Sequence, residues 1–191
     1  MLDIITPFIL LLVIMDPILG LGALMSFAKD RNNAELRRIA FKSVAVATFV
    51  FLLFVFTGDI LLTLLGVSLN SFRAAGGIVL ILLGVQLALG ISFPKKDADI
   101  SEIAVVIGTP LITGPATISA TILLVNDLGL ITTLTAGILA LAIVLVLLLL
   151  APQINKLIGR SGMQVLSTMM GIVTIAWGMQ FLVSSLVSSM L

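Results

Sequence analysis

Long apolar runs alternate with short polar breaks along this chain. Each run reaches the ~20 residues that an α-helix needs to cross ~30 Å of hydrocarbon. The pattern predicts six spans: Ile4–Ala28, Ser43–Leu65, Phe72–Ile91, Glu102–Val125, Leu130–Leu150 and Met163–Val187. The runs do not alternate residue by residue, so the ten-residue strands of a membrane barrel are not expected. Between the first two spans lie Lys29-Asp30-Arg31-Asn32-Asn33, then Glu35, Arg37, Arg38 and Lys42, with Ala34–Arg38 placed to start the second helix early in the interface. Gly66–Asn70 and Asn126–Gly129 are tight turns, Ser92–Asp99 is the most polar break, and Pro152–Gly162 is expected to be a loop.

Two of the runs are defective in the same way. Met15-Asp16-Pro17 puts a carboxylate and a helix breaker in the middle of the first. A charge at that depth costs roughly 2.5–3.5 kcal/mol, and the proline withholds the N–H that the Val13 carbonyl would accept in an unbroken helix. Thr109-Pro110 and Thr113-Gly114-Pro115 sit near the centre of the fourth run. Lipid tolerates such interruptions only where protein buries them or where they line a polar cavity. Paired interruptions in two halves of a chain point to a transport site.

The halves also repeat. Residues 77–86 read Gly-Ile-Val-Leu-Ile-Leu-Leu-Gly-Val-Gln and residues 171–180 read Gly-Ile-Val-Thr-Ile-Ala-Trp-Gly-Met-Gln, with six of ten positions identical at an offset of 94. Asp16-Pro17 and Gly114-Pro115 are 98 apart. The predicted organisation is therefore a first three-helix repeat over 1–92, a cytoplasmic linker over 93–102 and a second three-helix repeat over 103–191. Three spans per unit make the second repeat inverted, with broken first and fourth helices. The charges agree. Lys29, Arg31, Arg37, Arg38, Lys42, Lys95, Lys96, Lys156 and Arg160 fall on one face and Arg73 alone on the other. The face with nine is expected to be cytoplasmic, which leaves both termini outside. The first run lacks a basic leader and a small-residue cleavage site, so a retained helix is expected.

Composition narrows the chemistry. Hydrophobic residues make up 60% of the 191 and charged residues 10%, against roughly 25% charged in soluble domains, so the chain is all-α and integral to a membrane. With neither cysteine nor histidine, disulfides, thiol chemistry, histidine bases and the common zinc sites are excluded. A net charge of +1 gives no reason to expect nucleic acid.

Asp16 is the first candidate: ionised, it can hold a cation or a substrate ammonium. It is also a good N-cap for a helix restarting at Pro17, and the two roles are compatible. Thr109, Thr113 and Thr117 recur every four residues and are expected on one face, beside carbonyls of Val106 and Leu111 freed by Pro110 and Pro115; they could instead rebond those carbonyls. Gly20, Gly22 and Gly114 leave little bulk around the breaks, so close approach of the two broken helices is expected to limit ligand size. The pairs Gly77/Gly84 and Gly171/Gly178 are seven apart, as helix packing requires. Gln86 and Gln180 suit either interhelical bonding or the pathway. Asp59 is expected at the outer interface or paired with Arg73. A membrane aspartyl protease would need a second placed carboxylate, and Phe56-Thr57-Gly58-Asp59 has no glycine two before the aspartate. A channel would need filter loops or rings of charge that the sequence does not show.

The Met-Asp-Pro break, the stretch Gly-Thr-Pro-Leu-Ile-Thr-Gly-Pro-Ala-Thr-Ile at 108–118 and six spans in about 200 residues resemble the MarC family. The resemblance covers essentially the whole chain. It departs in Ile18-Leu19-Gly20-Leu21-Gly22, where a further proline is usual, and at Ala116, where glycine is common. The resemblance implies an ion-coupled transporter of small neutral amino acids such as glycine and alanine, not an enzyme, in the cell membrane. A multidrug exporter is the rival reading. The substrate site would be Asp16, Pro17, Gly20, Gly22, Thr109, Thr113, Gly114, Pro115 and Thr117, with Gln86 and Gln180 in the pathway or the packing. The partners would be the amino acid, a proton or a sodium ion near Asp16, and the bilayer. No cofactor is expected, and a homo-oligomer is left open.

Overall fold

The computed structural model describes residues 2–27, 31–90 and 99–190. Among them every regular element is helical: α1 (Leu2–Met15), α2 (Pro17–Phe27), α3 (Asn33–Leu64), α4 (Leu69–Leu89), α5 (Ile100–Val106), a wide π-type turn (Ile107–Ile112), α6 (Pro115–Leu128), α7 (Leu130–Leu149) and α8 (Ala151–Met190). Five helical stretches are long and apolar enough to cross a membrane. The bent pair Ile100–Ile112 and Pro115–Leu128 makes a sixth.

Local chemistry sets most ends. Asn32 and Glu35 form a reciprocal capping box, in which the Glu35 N–H donates to Asn32 Oδ1 at 2.9 Å and the Asn32 N–H to Glu35 Oε2 at 3.1 Å. That box starts α3 ten residues before its apolar run. At 1.5 Å per residue its 32 residues reach about 48 Å, so its basic first turns extend beyond the hydrocarbon. Ser68 caps α4 through the Ser71 N–H at 3.0 Å, and Gly90 closes it at φ 66°. Most of the linker lies outside the described residues, but Ile100 to Glu102 already belong to α5.

One expected loop is absent. Pro152–Gly162 is not a loop: α8 runs through it and breaks only at Gly159, at φ 74° and ψ 170°. Proline at the second position of a helix costs no hydrogen bond, so Pro152 starts the helix there. Only glycine takes the Gly159 conformation without strain.

Phe51, wholly buried, presses its ring on Gly137 and ties α3 to α7. Around this pair the two halves interlock. α1 packs on α7 and α5 on α3; α2 packs on α8 and α6 on α4. The closest seam joins α4 and α8. A methyl placed on Gly77 would lie 2.6 Å from the Gly178 carbonyl oxygen, and one on Gly178 would lie 2.6 Å from that of Gly77. Gly84 and Gly171 exchange the same contact at 2.6 and 2.7 Å. Gly84 also meets Ile175, and Gly178 meets Ile81; Gly77 meets Leu182, and Gly171 meets Ala88. Each of these contacts maps onto its counterpart under the 94-residue offset. The glycines are packing residues: their missing side chains let two backbones touch.

Candidate functional site

The first break is one residue wide. Asp16 stands between α1 and α2 at φ 39°, a left-handed conformation that aspartate tolerates better than most residues. Its N–H donates to the Val13 carbonyl at 3.2 Å, so the acceptor that Pro17 would have orphaned is filled. Its Oδ1 accepts from the Leu19 N–H at 3.0 Å, which caps α2 with Pro17 in the first helical position. Ile4–Met25 remains one span.

The second break is wider. Thr109 is extended (φ −142°, ψ 114°) and the Thr109–Pro110 peptide is cis. Thr113 and Gly114 are also non-helical, and the two halves of the span meet at 51°. The three threonines therefore do not share a face, because the helix that a four-residue spacing assumes is missing between them. Thr113 turns to α3, where its Oγ1 donates to the Ala47 carbonyl at 3.0 Å. Thr117 Oγ1 donates back to the Ile112 carbonyl at 2.9 Å. Thr109 Oγ1 is buried without a partner among the described residues. A methyl on Gly114 would overlap the Pro110 carbonyl oxygen, so this glycine is fixed by the turn itself.

Both breaks open on one cavity of about 20 Å³. The first span contributes Ile14, Asp16 and Leu19; the fourth contributes Pro110, Leu111, Gly114, Ala116 and Thr117. Leu80 of α4 and Val173, Thr174 and Trp177 of α8 complete the lining. Asp16 and Gly114, and Leu19 and Thr117, are pairs at an offset of 98; Leu80 and Thr174 are a pair at 94. The cavity thus lies where equivalent positions of the two halves meet.

Of the expected site residues, Asp16, Gly114 and Thr117 line this cavity; Pro17, Gly20, Thr109, Thr113 and Pro115 flank it without lining it. Pro115 packs against Gly76 of α4. A methyl on Gly20 would meet Leu148 and Ile112 at 3.6 and 3.9 Å, and Gly22 is buried. Gln86 and Gln180 are not among the residues that line the cavity. Gln86 Oε1 is buried and unpartnered among the described residues, and the Gln180 carbonyl accepts from Ser184. Asp59 is exposed and forms no ion pair with Arg73. Trp177 and Thr174 were missed. Their signal was present, because they are two of the four positions where the repeated decapeptide differs, replacing Leu83 and Leu80.

The two helix starts at the cavity differ electrostatically. The α2 N-terminus is capped by a carboxylate, whereas the α6 N-terminus begins at Gly114 with no side-chain cap. The first N–H groups of α6 are therefore open donors at a positive dipole end. An acidic residue and an uncapped helix start thus line the same cavity.

A family profile described as MarC family integral membrane protein matches residues 1–190. The chain belongs to the MarC family. It is 29% identical over 192 residues to a UPF0056 membrane protein of Aquifex aeolicus, covering 94% of this chain and 90% of the relative. The UPF0056 inner membrane protein YhgN of Escherichia coli is 29% identical over 190 residues, covering 93% of each. A UPF0056 membrane protein of Methanocaldococcus jannaschii is 29% identical over 190 residues, again 93% of each. No solved structure matches. This MarC chain is an integral membrane protein whose family match spans both broken helices.

Proposed function

We propose that this chain is a secondary transporter of small neutral amino acids, glycine and alanine, driven by a proton or sodium gradient in the cell membrane. One observation carries the reading: the uncapped start of α6 and the carboxylate of Asp16 line a single small cavity. A zwitterion has the complementary charges, its carboxylate suited to the amides and its ammonium to Asp16. The coupling ion is handled near Asp16. A cavity of about 20 Å³ holds about one water, so the broken spans must part to admit an amino acid. The reciprocal contacts of α4 with α8 support the inverted-repeat reading, since antiparallel helices that exchange equivalent positions imply a twofold axis across them. Nine of ten cationic side chains on one face support termini outside. Cysteines at Ser68 and Ser161 are expected to label from opposite faces; labelling from one side overturns that orientation.

Proteoliposomes with proton and sodium gradients imposed separately test the function. Accumulation of labelled glycine and alanine under one of the two gradients is expected. No accumulation under either, with a cationic drug alone stabilising the purified protein, would move the reading to drug export.

A further inference from the structure

Six of the twelve lining residues have no repeat mate on the lining, and Trp177 is the largest of them. Leu80 and its repeat mate Thr174 both line the cavity. Leu83 and its mate Trp177 do not behave alike: Leu83 is buried in the core at 9% exposure, whereas Trp177 lines the cavity. Trp177 shares this face of α8 with Val173 and Thr174, one turn away, as helical spacing dictates.

Three lining side chains carry an N–H or O–H. Thr117 donates to the Ile112 carbonyl and Thr174 to the Met170 carbonyl at 2.8 Å. The indole N–H of Trp177 has no partner among the described residues. The indole is the bulkiest group on the lining, and no hydrogen bond among the described residues holds it.

Resting on the amino-acid reading above, we propose that Trp177 is the specificity-determining residue. Its indole occupies the space that a larger substrate side chain would need and admits only hydrogen or methyl. A rigid aromatic body excludes bulk by shape, and loss of one pocket contact changes discrimination by roughly 10–200-fold per methylene. The glycines at the breaks do not set the limit: a methyl on Gly114 faces the Pro110 carbonyl and one on Gly20 faces Leu148 and Ile112.

The test uses the full chain in detergent and compares wild type with Trp177→Leu, which installs the residue of the repeat mate. Glycine and alanine are expected to raise the melting temperature of wild type while leucine does not. In Trp177→Leu the ratio of leucine to glycine affinity is expected to rise at least about tenfold. An unchanged ratio of leucine to glycine affinity in the two proteins overturns the assignment and leaves the amino-acid reading standing. If no amino acid stabilises wild type, both fall. Trp177 is the single tryptophan and the chain has no tyrosine, so wild-type emission reports on this position without any substitution. Glycine is expected to shift that emission. Stabilisation by glycine with unchanged emission places the substrate elsewhere and overturns the proposal, whether or not Trp177→Leu folds; Trp177→Phe is the milder second variant.

Discussion

The two broken spans solve one problem by different means. The first is interrupted at a single residue: Asp16 takes a positive φ, fills the Val13 acceptor with its N–H and caps α2 with its side chain. The second spreads the interruption over Thr109 to Gly114, bends by 51° and leaves α6 uncapped. Equivalent positions in a repeat therefore need not share local structure. What the halves share is where the break falls and what it faces. What they divide is the electrostatic role, with a carboxylate on one side and open amides on the other.

That contrast can be broken at its stiffest point. Gly114→Ala would drive a methyl into the Pro110 carbonyl oxygen within the same turn, which has no slack. Its cost is expected at about 3–5 kcal/mol, read by unfolding in mixed micelles. A cost below about 1 kcal/mol would mean that the second break is not closed in this way. The α4–α8 seam should behave oppositely. Gly84→Ala and Gly178→Ala are repeat mates with matched contacts, so both are expected to cost about 1–3 kcal/mol, equal within error. Unequal losses would show that the seam is as asymmetric as the breaks. Asp16→Ala removes the α2 cap and is expected to cost about 1 kcal/mol. Asp16→Asn keeps the cap and tolerates the same backbone, so stability is expected to hold within about 0.5 kcal/mol while gradient-driven uptake is lost. Unchanged uptake by that variant would remove the charge from the mechanism. Gly20→Ala is the smallest change, within about 0.5 kcal/mol, because its methyl meets only ordinary contacts at 3.6 and 3.9 Å.

Much of the architecture follows from the order of residues. Long apolar runs require helices, because a bilayer leaves backbone groups no other partner. Pro17, Pro110 and Pro115 cannot donate, so both breaks were legible. The seven-residue spacing of Gly77/Gly84 and Gly171/Gly178 marked a packing face, and the structure places it at the α4–α8 seam. Pro152–Gly162 misled because polar residues and glycines there resembled a loop, whereas a helix with one glycine break satisfies the same backbone.

The site was only partly legible. Which residues interrupt the spans follows from their chemistry, since a missing N–H is a property of the residue alone. What those residues face depends on packing. Periodicity put three threonines together; the backbone at Thr109 and Thr113 separated them, and a carbonyl of α3 took the Thr113 hydroxyl. Trp177 joined the cavity because α8 packs on α2 and α4, contacts between segments distant along the chain. Spacing along a chain fixes a face only while one helix continues. Past a break, the face that a side chain presents is set by the partner packed against it.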